Sequence, residues 1–266
     1  MIESSAPPPK PDGYLDDVQW RYRDVVFAFL AGFAGSLVVG IVLTVGGFDL
    51  TDPIPFSLVF AGQATASMVV IWMLSRSRGT GSLAADVGLV IQPRDWWGVP
   101  AGMALQILIA VITLPLIFLL WGDDPPSQGV TDIAETATTT AEQIFVVLAV
   151  AVLAPIVEEV IYRGMLLSTL RRRFRPWIAV VISALVFSLI HAVLDINAIA
   201  AVPGLFLLGL VLGWVALRRQ NLSLAIALHS GINLLAAISL LWGGQIQDWA
   251  ENRLDEIEAV IASLPL

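Results

Sequence analysis

Seven runs of apolar residues, each close to twenty residues long, dominate the sequence and restrict the folds open to it. A helix needs about 20 apolar residues to cross the hydrocarbon core of a bilayer. Only 14% of the residues are charged, whereas soluble domains carry nearer a quarter. We therefore predict an all-α, polytopic integral membrane helical bundle. Its seven transmembrane helices are expected at 25–46, 56–74, 99–120, 143–170, 177–194, 199–217 and 222–242.

The pattern of apolar and polar segments predicts a division of the chain into four regions. The proline-rich segment 1–23 is expected to be a disordered cytoplasmic tail, because it is polar and lacks an apolar run. Region 24–142 holds the first three spans with their loops, and its half-polar stretch 79–97 predicts an interfacial helix. Region 143–243 is expected to form a functional core. Region 244–266 has apolar residues at helical spacing and predicts an amphipathic C-terminal helix docked on the membrane or the bundle.

The distribution of basic residues predicts the orientation. Cytoplasmic loops of membrane proteins carry an excess of Lys and Arg. With the N-terminus in the cytoplasm and the C-terminus outside, as in a bacterial-type cell membrane, twelve of the fourteen basic residues fall inside. These are Lys10, Arg21, Arg23, Arg76, Arg78, Arg94, Arg171, Arg172, Arg173, Arg175, Arg218 and Arg219.

Composition also limits the chemistry and the partners. The chain has no cysteine, which excludes disulfides, thiolate metal sites and a thiol nucleophile. Its net charge of -8 argues against nucleic acid as a partner. The long apolar runs make membrane lipid the expected partner, and the oligomeric state is left open.

A small group of polar residues lies inside the predicted spans. Charged side chains at bilayer depth are costly, so they mark functional sites by default. One span contains Glu158, Glu159 and Arg163, and the only two histidines, His191 and His229, are also in spans. The sequence therefore predicts a buried polar site assembled from three helices.

Helix geometry assigns different environments to the two glutamates. Glu159 and Arg163 are four residues apart and can form an ion pair on one face. Glu158 points about 100° away, and its neighbour four residues on is Tyr162, which offers a hydrogen bond but no full charge. Glu158 is therefore the uncompensated carboxylate and the better candidate for a general base.

Two further helices supply groups that can act with Glu158. Phe187 and His191 share one face of the fifth span, and His229 and Asn233 share one face of the seventh. A carboxylate and an imidazole can hold and deprotonate a water, while a second imidazole and a carboxamide can donate hydrogen bonds to an oxyanion. Alternatively, Glu158, His191 and His229 could bind Zn²⁺ with an open position. The sequence leaves both readings open.

The site residues should lie at a similar depth in the membrane, and the seventh span is the hardest to reconcile with this. At 1.5 Å per residue, Glu158 and His191 lie about 18 and 21 Å from the predicted cytoplasmic ends of their helices, but His229 lies only about 10 Å in. We therefore expect the seventh span to tilt or to begin further out. Asp195, four residues after His191, either orients that imidazole or lies in a polar loop at the helix end.

The three motifs together resemble those of the CPBP family of intramembrane proteases, which includes type II CAAX prenyl endopeptidases and Abi bacteriocin-immunity proteins. The order EExxxR, FxxxH and HxxxN is met by Glu158 to Arg163, Phe187 to His191 and His229 to Asn233. The resemblance covers roughly 144–240, including a Gly209-xxx-Gly213 pair that permits close helix packing.

The resemblance implies an intramembrane endopeptidase whose partner is a peptide or membrane-protein substrate, with CAAX-like processing by analogy. It also gives each motif residue a role. Glu158 would activate water with help from His191, and His229 with Asn233 would stabilise the oxyanion. The supporting residues would be Glu159, Arg163 and Phe187. No cofactor is required by this assignment, although Zn²⁺ is possible.

Two other functions fit some of the same residues. A non-enzymatic immunity or scaffold protein of the same fold would keep the bundle without the reaction. A secondary transporter would use intramembrane charges as a relay, but such proteins often contain internal repeats, and the sequence shows no convincing one.

Overall fold

The computed structural model describes residues 18, 20–126 and 128–262, but not the side chains of 247, 248, 250 and 255–262. Within these residues the chain is built from helices and turns without a strand. Seven helical segments are long and apolar enough to cross a membrane, which confirms the predicted integral membrane bundle. We name them spans 1 to 7: Tyr22–Val45, Pro53–Arg78, Pro93–Trp121, Thr140–Arg171, Pro176–Leu194, Ile196–Arg219 and Ser223–Ile246.

Several spans contain more than one helical segment. The α-helices are α1 (Tyr22–Val45), α2 (Pro53–Arg78), α3 (Leu83–Asp86), α4 (Gly98–Trp121), α5 (Gly129–Thr136), α6 (Thr140–Val147), α7 (Ala154–Glu159), α8 (Ser168–Arg171), α9 (Pro176–Leu194), α10 (Val202–Arg219) and α11 (Ser223–Ala262). Short 3₁₀ segments cover Pro93–Trp97 and Ile196–Ala201.

Span 4 departs from regular α-helix on both sides of the two glutamates. The π-helical stretches Leu148–Leu153 and Val160–Leu167 flank α7. The amide of residue 154 donates to the carbonyl of Ala149, and the next residue, Pro155, has no N–H to continue this pattern. The carbonyl of Val150 is thereby deprived of its i+5 donor. Insertions of this kind are frequent at functional sites.

The beginning of the described chain is packed, not disordered. Trp20 is fully buried, and its indole N–H donates to the carbonyl of Asp86 over 3.2 Å. The Thr169 hydroxyl in α8 donates to the Trp20 carbonyl over 3.2 Å. The prediction of disorder up to residue 23 is therefore wrong for residues 20–23, where burial of an indole fixes the chain. The rest of the predicted tail, 1–17 and 19, lies outside the described residues.

The stretch 79–92 closes one end of the bundle, which we call the basic end because Arg78, Arg172 and Arg219 lie there. In the predicted interfacial stretch 79–97, the helical segments are the single turn α3 and the 3₁₀ segment Pro93–Trp97, and they do not form one continuous helix. The carbonyl of Gly88 accepts from the amide of Leu222 over 2.8 Å, immediately before span 7 begins. Span 7 thus starts beneath this stretch, with Leu222 already fully buried.

Spans 5 and 6 approach each other at a glycine. A Cβ on Gly209 would lie 2.9 Å from both the Cα and the Cβ of Ala184 in α9. We expect Gly209→Ala to destabilise the protein by about 1–3 kcal/mol, because the helices must separate. Gly204→Ala is the matched control in the same helix, since its Cβ would meet only Ile109 at 3.4 Å. Thermal unfolding in detergent would measure both, and equal melting temperatures would contradict the prediction.

The C-terminal region is not a separate docked helix. α11 runs for 40 residues from Ser223 to Ala262 without a break. Ile246, Trp249 and Leu254 on its extension are exposed by half or more. The apolar stripe in the tail sequence therefore continues span 7 beyond the bundle, and the predicted docking against the bundle is wrong for these residues.

Candidate active site

The three predicted motifs meet in the bundle around the Glu158 carboxylate. His191 Nε2 lies 3.9 Å from Glu158 Oε1, and His229 Nε2 lies 3.6 Å from Glu158 Oε2. Both distances are too long for direct hydrogen bonds. They are short enough for one water to bond with the carboxylate and a neighbouring imidazole at once. Span 7 reaches this depth because its first turn is already inside the bundle, not because it begins further out.

The second glutamate anchors a buried triad. Arg163 Nη1 donates to Glu159 Oε1 over 2.7 Å, and both side chains are fully buried, so the expected ion pair is present. The same carboxylate oxygen accepts from His229 Nδ1 over 2.9 Å. A second arginine nitrogen reaches the carbonyl of Gly209 over 3.4 Å. Glu159 therefore fixes the proton of His229 on Nδ1 and directs its Nε2 towards Glu158.

His191 is oriented by the backbone of its own helix. Its Nδ1 lies 2.7 Å from the carbonyl of Phe187, which can only accept, so the proton is on Nδ1. In the neutral ring, Nε2 then carries a lone pair on the side of Glu158. Asp195 does not orient His191. Its carboxylate accepts instead from the amides of Gly129 and Asn197 at the helix end.

The buried Phe187 ring packs against the side chains of His191, His229 and Arg163. Its centroid lies 4.9 Å from that of His191 and 5.9 Å from that of His229, both edge to face. The Arg163 guanidinium lies 4.5 Å from the same centroid. Such contacts contribute about 0.5–2 kcal/mol each. Phe187 therefore packs against all three motifs without offering a reacting atom.

Asn233 is held by the irregular backbone of span 4. Its Nδ2 donates to the carbonyl of Val150 over 2.9 Å. This is the carbonyl to which Pro155, having no N–H, cannot donate a hydrogen bond. The bond uses one of the two amide hydrogens and leaves the other available. The sequence shows Pro155, which indicates that a backbone carbonyl in span 4 lacks its donor. It does not show that Asn233 supplies that donor.

A cavity of ≈ 860 Å³ opens beside the site. Glu158, His191, His229 and Asn233 all contribute to its wall, so the structure brings the four predicted reacting residues to one surface. The Glu158 side chain is 23% exposed, whereas that of His229 is 2% exposed. The remaining wall is mostly apolar, and its polar members are Gln106, Thr113, Gln128, Thr131 and Ser239.

The same residues fit zinc by type but not by spacing. Each histidine has an acceptor on Nδ1, as zinc-binding histidines usually do. Zinc bonds of about 2.0–2.2 Å would place ligand atoms about 3.4 Å apart, closer than the 3.6 and 3.9 Å found here. In the described part of the chain, no three His, Asp or Glu side chains are grouped closely enough to hold a metal ion.

The comparisons with known proteins identify a domain in the same region. The family model described as "Type II CAAX prenyl endopeptidase Rce1-like" matches residues 140–235. This segment begins with span 4 and ends just after Asn233, so it includes all three motifs. The match confirms the resemblance to the CPBP proteases. The chain matches no curated protein and no solved structure.

Proposed function

We propose that this chain, whose residues 140–235 carry an Rce1-like domain, is an intramembrane endopeptidase that hydrolyses peptide bonds with a water activated by Glu158 and His191. The supporting observation is the convergence of one uncompensated carboxylate, two imidazoles and one carboxamide on a single cavity wall. In this proposal, Glu159, Arg163 and Phe187 hold these groups and do not touch the substrate.

The reaction follows from the positions of the atoms. A water between Glu158 and His191 gives a proton to the Glu158 carboxylate as its oxygen attacks the peptide carbonyl carbon. The carbonyl oxygen becomes an oxyanion, which accepts from the free Nδ2 hydrogen of Asn233 and from His229 Nε2. His229 donates from Nε2 when its ring carries both protons, while its Nδ1 stays bonded to Glu159. Glu158 then returns the proton to the leaving amine as the C–N bond breaks.

The cavity indicates the class of substrate. Its mostly apolar wall suits a membrane-associated peptide, and its few polar groups suit the peptide backbone. The family description names CAAX prenyl endopeptidases, so a prenylated C-terminal peptide is one candidate and an unmodified membrane peptide is another. We place the basic end in the cytoplasm, because the positive-inside rule favours that orientation.

Reconstituted protein provides the test of this function. Wild type in liposomes would be incubated with a prenylated C-terminal peptide and with the same peptide lacking the prenyl group, and the products identified by mass spectrometry. We expect internal cleavage by wild type and none by folded His191→Ala. Equal cleavage by both proteins would contradict the proposal. Absence of cleavage, with a biological effect retained in His191→Ala, would favour the immunity or scaffold function.

Metal analysis separates the two water-activating chemistries. We expect purified, active wild type to contain far less than one zinc per chain and to retain cleavage with a chelator present, because the donor atoms are spaced too widely. Elemental analysis of wild type, His191→Ala and His229→Ala would measure this. Stoichiometric zinc that disappears in both variants would instead show a metalloprotease, for which Glu158, His191 and His229 are the candidate ligands.

A further inference from the structure

A second, smaller cavity lies on the other side of the water-activating pair. Its volume is ≈ 60 Å³, and Glu158 and His191 line both this cavity and the large one. Phe60 also lines both cavities, so these three side chains lie between two spaces within the bundle. The rest of the small cavity is formed by Phe29, Phe60, Gln63, Ala64, Ser67, Val157, Ile161, Tyr162, Ile190 and Leu194.

Two uncharged polar side chains in this wall have no hydrogen-bond partner among the described residues. One is the carboxamide of Gln63 in the middle of α2, and the other is the hydroxyl of Tyr162, a residue only 6% exposed. Ser67 differs, because its hydroxyl donates to the carbonyl of Ala28 over 2.9 Å. Polar groups in a cavity wall that lack protein partners are commonly satisfied by internal water.

The cavity has the size and polarity that ordered water requires. One water needs about 10–15 Å³ of cavity volume. The ≈ 60 Å³ of the small cavity therefore provides room for about four water molecules. Each internal water typically makes about three hydrogen bonds. The available partners are the Gln63 amide, the Tyr162 hydroxyl, the Glu158 carboxylate and the imidazole of His191.

We propose that this small cavity is a hydration chamber that supplies the hydrolytic water to Glu158 and His191 from the side opposite the substrate, with Gln63 and Tyr162 as its polar lining. The inference rests on the proposed peptidase function. Each peptide bond cleaved consumes one water, whose oxygen and one hydrogen form the new carboxyl group. A peptide in the large cavity covers that face of Glu158, so the replacement water comes from the chamber.

The kinetic test uses two variants with different effects on the chamber. Gln63→Met keeps the volume of the side chain but removes its hydrogen bonds, and Ala64→Ile fills the chamber from the same helix. We expect each to lower kcat by about tenfold, with little change in KM, because water-mediated contacts are lost and substrate contacts are not. The control is Thr65→Ile, which places the same side chain on the exposed side of α2 and should retain wild-type kcat.

A second measurement does not depend on peptidase activity. Hydroxyl radicals made by X-ray radiolysis label buried side chains that contact bound water. We expect strong labelling of Tyr162 in wild type and loss of that label in Ala64→Ile. Phe187, which is also buried but does not line the chamber, should be labelled weakly.

The outcomes distinguish failure of this inference from failure of the proposed function. Strong Tyr162 labelling in a wild-type protein that cleaves no peptide would support the hydrated chamber while the peptidase function fails. Tyr162 labelling as weak as that of Phe187 would overturn the chamber. So would wild-type kcat in both folded variants, Gln63→Met and Ala64→Ile.

Discussion

The Glu158→Gln protein is expected to fold like wild type and to hydrolyse its substrate about 10³-fold more slowly, within the 10²–10⁴ range of general-base catalysis. The substitution keeps the shape of the side chain but removes its negative charge and its capacity to accept a proton. Little stability should be lost, because Glu158 is 23% exposed and both imidazoles lie beyond hydrogen-bonding distance. The measurement is kcat for the purified variant, with its melting temperature recorded on the same preparation.

A matched substitution controls for the loss of a negative charge. Glu135→Gln makes the same change at an exposed position of α5 that does not line the large cavity, and should leave kcat unchanged. A folded Glu158→Gln protein with kcat within a factor of a few of wild type would show that another group activates the water.

Arg163→Ala is expected to produce the largest loss of stability, about 3–5 kcal/mol, because it leaves the Glu159 carboxylate charged and unpaired in the bundle interior. Arg163 and Glu159 are both fully buried and 2.7 Å apart. Arg163 also stacks on Phe187 and reaches the carbonyl of Gly209. The space left by its side chain therefore adds to the loss of stability. The free energy of unfolding in a mixed-micelle titration would measure the effect.

The double variant Glu159→Leu/Arg163→Met separates the effect of the ion pair on stability from the effect of Glu159 on activity. Replacing both charges with apolar side chains of similar size is often neutral for stability, so most of the lost stability should return. Activity should not return, because His229 Nδ1 loses the acceptor that orients it. A double variant as unstable as Arg163→Ala would contradict the assignment of the loss to the unpaired charge, and a fully active one would contradict the role of Glu159.

Much of the fold was predictable because a bilayer imposes one length and one polarity on every spanning helix. All seven spans are confirmed on that basis. The errors lie where tertiary contacts override local pattern. Trp20 follows a polar, proline-rich segment, yet it is buried through contacts with residues 86 and 169, which no local pattern reveals. The tail 244–266 was predicted to be a separate docked helix, yet α11 continues from span 7 through Gly243 and Gly244.

The identity of the site residues was predictable, but their connections were only partly so. Helix spacing gave the pair between Glu159 and Arg163, because four residues separate them on one helix. It could not give the bond from His229 to the same carboxylate, which joins residues 70 positions apart. The Asn233 contact depends on a π-helical register in span 4. Tyr162 packs edge to face on Phe187, with ring centroids 5.2 Å apart, but its place in the wall of the small cavity could not be predicted from helix spacing.

Chemical rescue of Glu158→Ala tests the central claim most directly. Removing the side chain opens space beside an ≈ 860 Å³ cavity, into which formate can diffuse and act as the missing base. We predict that Glu158→Ala is folded and inactive, and that millimolar formate restores part of its peptide hydrolysis but none of that of Glu158→Gln, whose side chain still fills the space. A folded Glu158→Ala protein that cleaves at the wild-type rate without formate would contradict the account.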